Sequence, residues 1–235
     1  MIYLSTAAGY LFAVVLLLLS LPLIMIQNLL GNQKLFNPAI RFMCRLIPLS
    51  FGISVKAKGM EKLDPDKSYI FIANHVNIFD GFILYGYIPH FVRGVELEDH
   101  FSWPIWGAVT KKIGNIPISH KDHRSAVRSL KKASEALRSG ISLIMLPEGH
   151  RTRDGKLLPF MRGPFRLAIE TKTDIVPVVM KNAFSRKSVG SKLVRPGKME
   201  LLFVDPVPYS SFSGSTDGEL RSRMHRIILQ MTDET

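Results

Sequence analysis

A histidine and an aspartate five positions apart, His75 and Asp80, follow directly after a short apolar run. In an α-helix, side chains with this spacing point about 140° away from each other, so these two can meet only in a loop. An ionised carboxylate beside an imidazole fixes the tautomer of the ring and stabilises the imidazolium that forms when the ring accepts a proton. The pair is therefore either a general base for an alcohol or a helix cap next to an ordinary polar residue.

A second polar block, Pro147–Arg153, follows another apolar run. Gly149 allows the backbone to approach a ligand closely, and Arg151 carries a planar guanidinium group that matches phosphate oxygens. Glu148 has basic neighbours in the sequence, and we expect it to hold an arginine in place. Taken alone, the block is either an anion site or a solvated connection between a strand and a helix.

The two blocks are more specific together than apart. Each follows a short apolar segment that is typical of a buried strand, Tyr69–Ala73 for the first block and Ile141–Leu146 for the second. Polar loops at the ends of strands in an α/β sheet can form one cleft. The sequence therefore predicts a base and an anion site in a single cleft at a sheet edge.

The rest of the chain alternates short apolar segments with stretches of helical periodicity, which predicts the α/β class. The predicted strands are Ser50–Lys56, Tyr69–Ala73, Phe91–Val95, Asn115–Ile118, Ile141–Leu146, Ile175–Met180 and Met199–Val204. The predicted helices are Gly81–Tyr87, Trp103–Lys112, Asp122–Arg138, Gly163–Thr171 and Glu219–Met231. We expect a single mixed-sheet layer domain with flanking helices.

The N-terminal segment has the composition of a membrane anchor. Residues 1–33 contain no Lys, Arg, Asp or Glu, and Ala7–Met25 is almost wholly apolar. A helix that spans a bilayer needs about 20 apolar residues. A signal peptide would need a basic start and a small-x-small cleavage site, and neither is present. We therefore expect a retained anchor, in which Pro22 kinks the helix or breaks it into a re-entrant pair.

The next segment, Leu35–Leu49, has amphipathic periodicity, with Arg41 and Arg45 on one face. It lies in the bilayer interface or packs on the globular core. Basic side chains follow the apolar run and none precedes it, so the positive-inside bias places the main domain on the cytoplasmic side. The chain thus divides into a single N-terminal anchor with its amphipathic helix, residues 1–49, and a globular domain, residues 50–235.

The charge balance narrows the classes of partner. A net charge of +12 suits nucleic acid, an anionic membrane surface or an anionic substrate. The sequence has no recognisable nucleic-acid motif, so we expect membrane lipid rather than nucleic acid as a partner. The basic stretch Lys181–Lys198 is either a dock for an anionic bilayer or an acidic carrier protein, or a solvated loop. The single cysteine, Cys44, lacks the paired spacing of a zinc site, and we expect no metal.

The two polar blocks resemble motifs of the glycerophospholipid acyltransferase family, the 1-acylglycerol-3-phosphate acyltransferases and their lysophospholipid relatives. Residues 74–80 are similar to its Asn-His-x-x-x-x-Asp motif, and residues 147–151 to its Pro-Glu-Gly-Thr-Arg motif. Three further segments resemble its acceptor-site strand, its Phe-Lys-Lys-Gly stretch and its apolar-proline motif: residues 114–118, 159–163 and 175–179. The resemblance covers roughly residues 55–205, in the same order.

The resemblance implies that His75 is the general base with Asp80 as its partner, and that Glu148, Gly149 and Arg151 bind the substrate phosphate. It implies a membrane-associated enzyme that moves a fatty acyl group from an acyl-CoA or acyl-carrier-protein thioester to the free hydroxyl of 1-acylglycerol 3-phosphate. The product is phosphatidic acid, and no cofactor, metal or acyl-enzyme takes part. The sequence agrees with direct transfer, since it contains no Gly-x-Ser-x-Gly nucleophile motif.

Three positions depart from the family pattern. Asn77 stands where the family often has Ser, His150 replaces the common Thr, and His120, followed by Lys121, stands where an Arg is usual. The last position belongs to the motif tied to acceptor binding, so two other acceptors stay open, glycerol 3-phosphate and an amino-acid-derived lysolipid. A non-enzymatic anchored protein that binds anionic lipid through its basic face is the remaining alternative.

Overall fold

The computed structural model describes residues 2–119 and 123–233, and within them strands and helices alternate. The strands are β1 (Ile53–Lys58), β2 (Ile70–Ala73), β3 (Val92–Leu97), β4 (Ile116–Ile118), β5 (Ser142–Met145), β6 (Ile175–Lys181) and β7 (Gly197–Phe203). The α-helices are α1 (Ile2–Leu29), α2 (Asn37–Ser50), α3 (Asp80–Tyr87), α4 (Trp106–Ile113), α5 (His123–Arg138), α6 (Gly163–Thr171), α7 (Ala183–Arg186) and α8 (Asp217–Asp233). Short 3-10 helices occupy Met60–Lys62, Glu98–Ser102 and Tyr209–Ser211.

One sheet contains the seven strands of the described residues, in the order β1-β7-β6-β2-β5-β3-β4. β7 runs antiparallel to β6, and the other neighbouring pairs are parallel. The predicted α/β fold with a mixed sheet is therefore confirmed. Because β2 lies between β6 and β5 and runs parallel to both, the loops that follow these three strands open on the same edge of the sheet.

Each face of the sheet packs against its own hydrophobic cluster. Phe71 of β2 points into one cluster, with residues of α2 and α3, and Ile70 and Ile72 point into the other, with residues of α5, α6 and α8. All three side chains are 0 % exposed. Burying a side chain of this size contributes about 1.5–3 kcal/mol, so the central strands are held from both sides. The loops at their ends therefore start from fixed positions.

The first helix lies along the domain instead of projecting from it. Its buried residues recur on one face: Thr6, Gly9, Leu16, Ser20, Ile24 and Gln27. Near its start, Val194 N–H donates to Thr6 Oγ1 at 3.3 Å, and near its end Asn28 Nδ2 donates to the Lys112 carbonyl at 2.7 Å. By length and composition α1 could cross a membrane. It continues through Pro22, so of the two outcomes expected at this proline, a kink or a break into two helices, the break does not occur.

The amphipathic segment forms α2, which packs against both α1 and α3. Arg45 Nε donates to the Gly86 carbonyl of α3 at 2.7 Å, while Phe42 and Leu49 stay 60 % and 55 % exposed. The strand predicted from Ser50 begins later, at Ile53 (β1), because α2 continues through Ser50 and the chain then turns at Gly52 with a φ of 73°. α2 thus packs one face against the domain and leaves the apolar side chains of Phe42 and Leu49 exposed.

Candidate active site

The carboxylate of Asp80, at the start of α3, organises the loop that follows β2. Its Oδ2 accepts hydrogen bonds from His75 Nδ1 at 2.8 Å, Val76 N at 2.6 Å and Asn77 N at 2.9 Å. Asp80 is 0 % exposed, so these donors replace the water that an ionised carboxylate would otherwise bind. The two side chains that the sequence predicts to meet in a loop do so.

The imidazole of His75 is held with its Nδ1 against the buried carboxylate of Asp80. Because a carboxylate only accepts, the proton on this side of the ring lies on Nδ1 and the lone pair lies on Nε2. Nε2 has no hydrogen-bond partner within residues 2–119 and 123–233, and 21 % of the His75 side chain is exposed. A lone pair in this position can take a proton from an alcohol, and the buried carboxylate would stabilise the resulting imidazolium.

Two asparagine side chains fix the histidine loop to the neighbouring strand β6 and helix α7. Asn74 Oδ1 accepts from Met180 N–H at 2.8 Å. Asn77 Nδ2 donates to the Ala183 carbonyl at 2.9 Å, while its Oδ1 accepts from Phe79 N–H at 2.8 Å. The amide at a position where the family often has Ser therefore makes one contact within the loop and one across to α7.

Glu148 holds two backbone segments instead of an arginine. Its Oε1 accepts from His75 N–H at 2.6 Å and its Oε2 from Leu158 N–H at 2.8 Å. The side chain is 2 % exposed, and this burial raises the pKa of its carboxyl group although both N–H groups act in the opposite direction. Within the described residues Glu148 forms no ion pair with an arginine, so that expectation was wrong. The structure places Glu148 behind the histidine loop, which it fixes.

The loop after β5 presents a guanidinium group at the same sheet edge. Gly149 has a φ of 74°, a backbone conformation that favours glycine, and its N–H donates to the Leu146 carbonyl at 3.1 Å. His150 is exposed and its Nδ1 donates to the Glu148 carbonyl at 3.0 Å. Arg151 is half-buried and has no hydrogen-bond or ion-pair partner in the part of the chain that the structure describes. Its N–H groups are available to an anion.

The variant position of the acceptor motif and Cys44 were also named from the sequence, and neither belongs to the two polar blocks. His120 and Lys121, at the variant position of the acceptor motif, lie outside the described residues. Burial raises the pKa of the Cys44 thiol to about 12, which keeps it protonated and unsuitable as a nucleophile. Across residues 2–119 and 123–233, no group of three or more His, Cys, Asp or Glu side chains could hold a metal ion.

The loop after β6 contributes a cation that the sequence did not single out. Lys187 is 9 % exposed, whereas in the sequence nothing distinguishes it from the other members of the basic stretch Lys181–Lys198. Its Nζ donates to the carbonyls of Ser188, at 3.1 Å, and Ser191. Burial distinguishes this lysine from Lys192, which is exposed on the same loop, and burial could not be deduced from the composition of the stretch.

The sequence is similar to a known protein family and to several of its members. A model of the acyltransferase family matches residues 54–181. The 1-acyl-sn-glycerol-3-phosphate acyltransferase of Limnanthes douglasii is 31 % identical over 158 residues, which is 67 % of this chain and 56 % of that protein. The chloroplastic 1-acyl-sn-glycerol-3-phosphate acyltransferase LPAT1 of Arabidopsis thaliana is 25 % identical over 91 % of this chain and 59 % of its own length. The chain thus spans little more than half the length of these relatives.

A solved structure has the same fold over nearly the whole chain. It is the crystal structure of the 1-acyl-sn-glycerophosphate (LPA) acyltransferase PlsC from Thermotoga maritima, with a TM-score of 0.87 and 24 % sequence identity. The similarity covers 99 % of this chain and 95 % of that one. At this level of identity the comparison bears on the fold alone. The family match covers more than half of the chain, including the His75–Asp80 and Glu148–Arg151 loops, and the chain therefore belongs to the acyltransferase family.

Proposed function

We propose that this chain moves a fatty acyl group from a thioester to the free hydroxyl of 1-acylglycerol 3-phosphate and so makes phosphatidic acid. The observation that carries the proposal is the 2.8 Å contact between His75 Nδ1 and Asp80 Oδ2. Among the described residues it leaves Nε2 without a partner, at the edge where Arg151 has none either. The relatives' names agree with it, since they are called 1-acyl-sn-glycerol-3-phosphate acyltransferases.

The proposed reaction is a direct transfer in which His75 moves one proton. Nε2 accepts the proton of the acceptor hydroxyl while the oxygen attacks the thioester carbonyl carbon. A C–O bond forms, the C–S bond breaks, and the departing sulfur takes the proton from the imidazolium. Asp80 keeps the ring in the required tautomer and balances its transient positive charge. A thioester is already activated, so the reaction needs no nucleophile on the protein.

The acyl donor of the proposed reaction is acyl-CoA or an acyl-carrier-protein thioester. Both present the same acyl–sulfur bond to His75, and both are negatively charged carriers that suit a chain of net charge +12. Initial rates with each donor at a fixed acceptor concentration distinguish them. A donor that raises the rate of phosphatidic acid formation in proportion to its concentration is the substrate.

Arg151→Ala tests the proposed phosphate contact. A charge-assisted hydrogen bond contributes about 1.5–3 kcal/mol, so kcat/KM for 1-acylglycerol 3-phosphate should fall about tenfold to a hundredfold. For uncharged 1-acylglycerol the loss should stay below about threefold, because that acceptor has no phosphate to bind. Arg166→Ala, on an exposed arginine paired with Glu170 at 2.7 Å, is the matched control. Equal losses for the charged and uncharged acceptors would contradict a phosphate contact of Arg151.

We also propose that α1 and α2 hold the chain in one leaflet of a membrane, with the globular domain on the cytoplasmic side. α1 has 28 residues, and both of its ends contact the same domain, at Val194 and Lys112. A helix that crossed the bilayer could not return its far end to a domain on the near side, so a position in the plane of the interface fits better. The proposed cytoplasmic side rests on the basic residues that follow α1.

Charged substitutions on the outer face of α1 test this membrane attachment. Leu11 and Leu18 are 69 % and 47 % exposed, and placing glutamate at both should lower the fraction of protein that floats with anionic vesicles more than tenfold, since each buried leucine contributes about 1.5–3 kcal/mol. Leu229→Glu, on a 37 % exposed leucine of α8, should leave flotation unchanged. Undiminished flotation of the Leu11/Leu18 variant would refute attachment through α1.

A further inference from the structure

The buried lysine beside the candidate active site has an unused donor. Lys187 Nζ donates to the Ser188 carbonyl at 3.1 Å and to the Ser191 carbonyl. An ammonium group has three N–H donors, so one remains. Within the described residues no carboxylate bonds to this amine, although a lysine that is only 9 % exposed is normally paired with a negative charge.

The position of Lys187 connects it to both functional loops. Its backbone N–H donates to the Ala183 carbonyl at 3.1 Å, and the same carbonyl accepts the Asn77 amide of the histidine loop at 2.9 Å. The pKa of Lys187 is lowered, first by burial and then by the positive charge of Arg151. The ends of β6, β2 and β5 therefore bring Lys187, the His75 loop and Arg151 to one edge.

Two cations in a partly buried site favour the binding of an anion between them. Among the residues that the structure describes, neither the Lys187 ammonium nor the Arg151 guanidinium forms a hydrogen bond or an ion pair with a carboxylate. A phosphomonoester carries close to two negative charges at neutral pH and offers three oxygens. Its size and charge match one planar guanidinium and one ammonium point charge.

We infer that Lys187 is a binding residue for a phosphomonoester, which it holds together with Arg151 next to His75. The inference rests on the proposed function, because it deepens the phosphate contact assigned there to Arg151. The phosphomonoester has two sources in the reaction, the headgroup of the acceptor and the 3′-phosphate of an acyl-CoA donor. Both have the same chemistry, and the experiment separates them.

Lys187→Met removes the charge and keeps the apolar stem, and Lys187→Gln removes the charge but keeps N–H donors for the two carbonyls. The acceptor arm compares 1-acylglycerol 3-phosphate with 1-acylglycerol at a fixed acyl-pantetheine donor, which has no phosphate. The donor arm compares acyl-CoA with acyl-dephospho-CoA at a fixed uncharged acceptor. In each arm the measured quantity is the ratio of kcat/KM for the phosphorylated substrate to kcat/KM for its unphosphorylated counterpart.

We expect both variants to lower this ratio about tenfold in one of the two arms, because a charge-assisted contact is lost. A fall in the acceptor arm assigns Lys187 to the headgroup, and a fall in the donor arm assigns it to the 3′-phosphate. Lys187→Arg, which keeps a positive charge, should restore part of the ratio. Lys192→Met removes an exposed lysine from the same loop and should leave the ratio within twofold of wild type.

Using a ratio separates binding from folding. If Lys187 only caps the loop carbonyls, its variants lose activity toward both members of each pair equally, and an unchanged ratio in both arms overturns the inference. That result leaves the proposed function intact when the wild-type chain still prefers the phosphorylated acceptor. A wild-type chain that makes no phosphatidic acid, or shows no preference in either arm, overturns the phosphate site as a whole.

Discussion

His75→Ala should lower kcat for acyl transfer by about 10²–10⁴-fold, the usual contribution of a positioned general base. In the proposed reaction the imidazole Nε2 accepts the hydroxyl proton, and alanine has no group that can do so. His75 contributes only backbone groups to the contacts with Glu148 and Thr152, so the variant should keep its fold. Initial rates of phosphatidic acid formation, measured together with the thermal unfolding midpoint, test this expectation.

A histidine elsewhere in the chain provides the control for His75→Ala. His225 lies on α8, where its Nε2 is 3.2 Å from the Leu158 carbonyl oxygen. It is far from the histidine loop in the sequence. His225→Ala should leave kcat within about threefold of wild type, since this residue has no role in proton transfer. Loss of activity in His225→Ala as large as in His75→Ala would indicate a general effect on the fold and would remove the support for His75 as the base.

Asp80→Asn should lower kcat nearly as much as His75→Ala does, by about 10²–10⁴-fold. Asparagine has almost the same shape, and its oxygen can still accept from the backbone N–H groups of Val76 and Asn77. It carries no charge, however, so it cannot stabilise the imidazolium that the proposed reaction would form on His75. Because Asp80 is 0 % exposed and does not touch solvent, we expect the loss in kcat with little change in KM.

Two further variants test whether the loss of activity in Asp80→Asn is specific to the contact between Asp80 and His75. Asp66→Asn changes an exposed aspartate and should leave kcat unchanged within about twofold. The double variant His75→Ala/Asp80→Asn should be no slower than His75→Ala alone, because the carboxylate acts only through the imidazole. Additive losses in the double variant, or full activity of Asp80→Asn, would show that the two side chains do not work as one unit.

The strands could be predicted because the apolar composition of each segment can be seen without knowing which other segment it pairs with. β2 is wholly apolar and β5 is apolar after Ser142, both end at polar loops, and they form the buried centre of the sheet. The order of the strands was not predictable, since it depends on pairings between distant segments such as β1 with β7. Hydropathy also marked α1 as a possible anchor, but it could not show that both ends of α1 contact the same domain.

The candidate site was predictable where the spacing of residues forces a contact. His75 and Asp80 are close in sequence and separated by a loop, so one hydrogen bond between them was expected. The predicted contact between Glu148 and an arginine was wrong because the carboxylate binds the backbone N–H groups of residues 75 and 158, and every residue except proline carries such a group whatever its side chain. Lys187 was missed because only its burial separates it from its basic neighbours.

The most direct test measures both products of the proposed reaction in the same reaction mixture. Purified protein is mixed with an acyl thioester and 1-acylglycerol 3-phosphate, and free thiol and phosphatidic acid are quantified over the same interval. We expect one phosphatidic acid for each thiol released by the wild-type chain, and neither product above background with His75→Ala. Thiol release without phosphatidic acid, or equal product formation by the two proteins, would contradict a hydroxyl activated by His75.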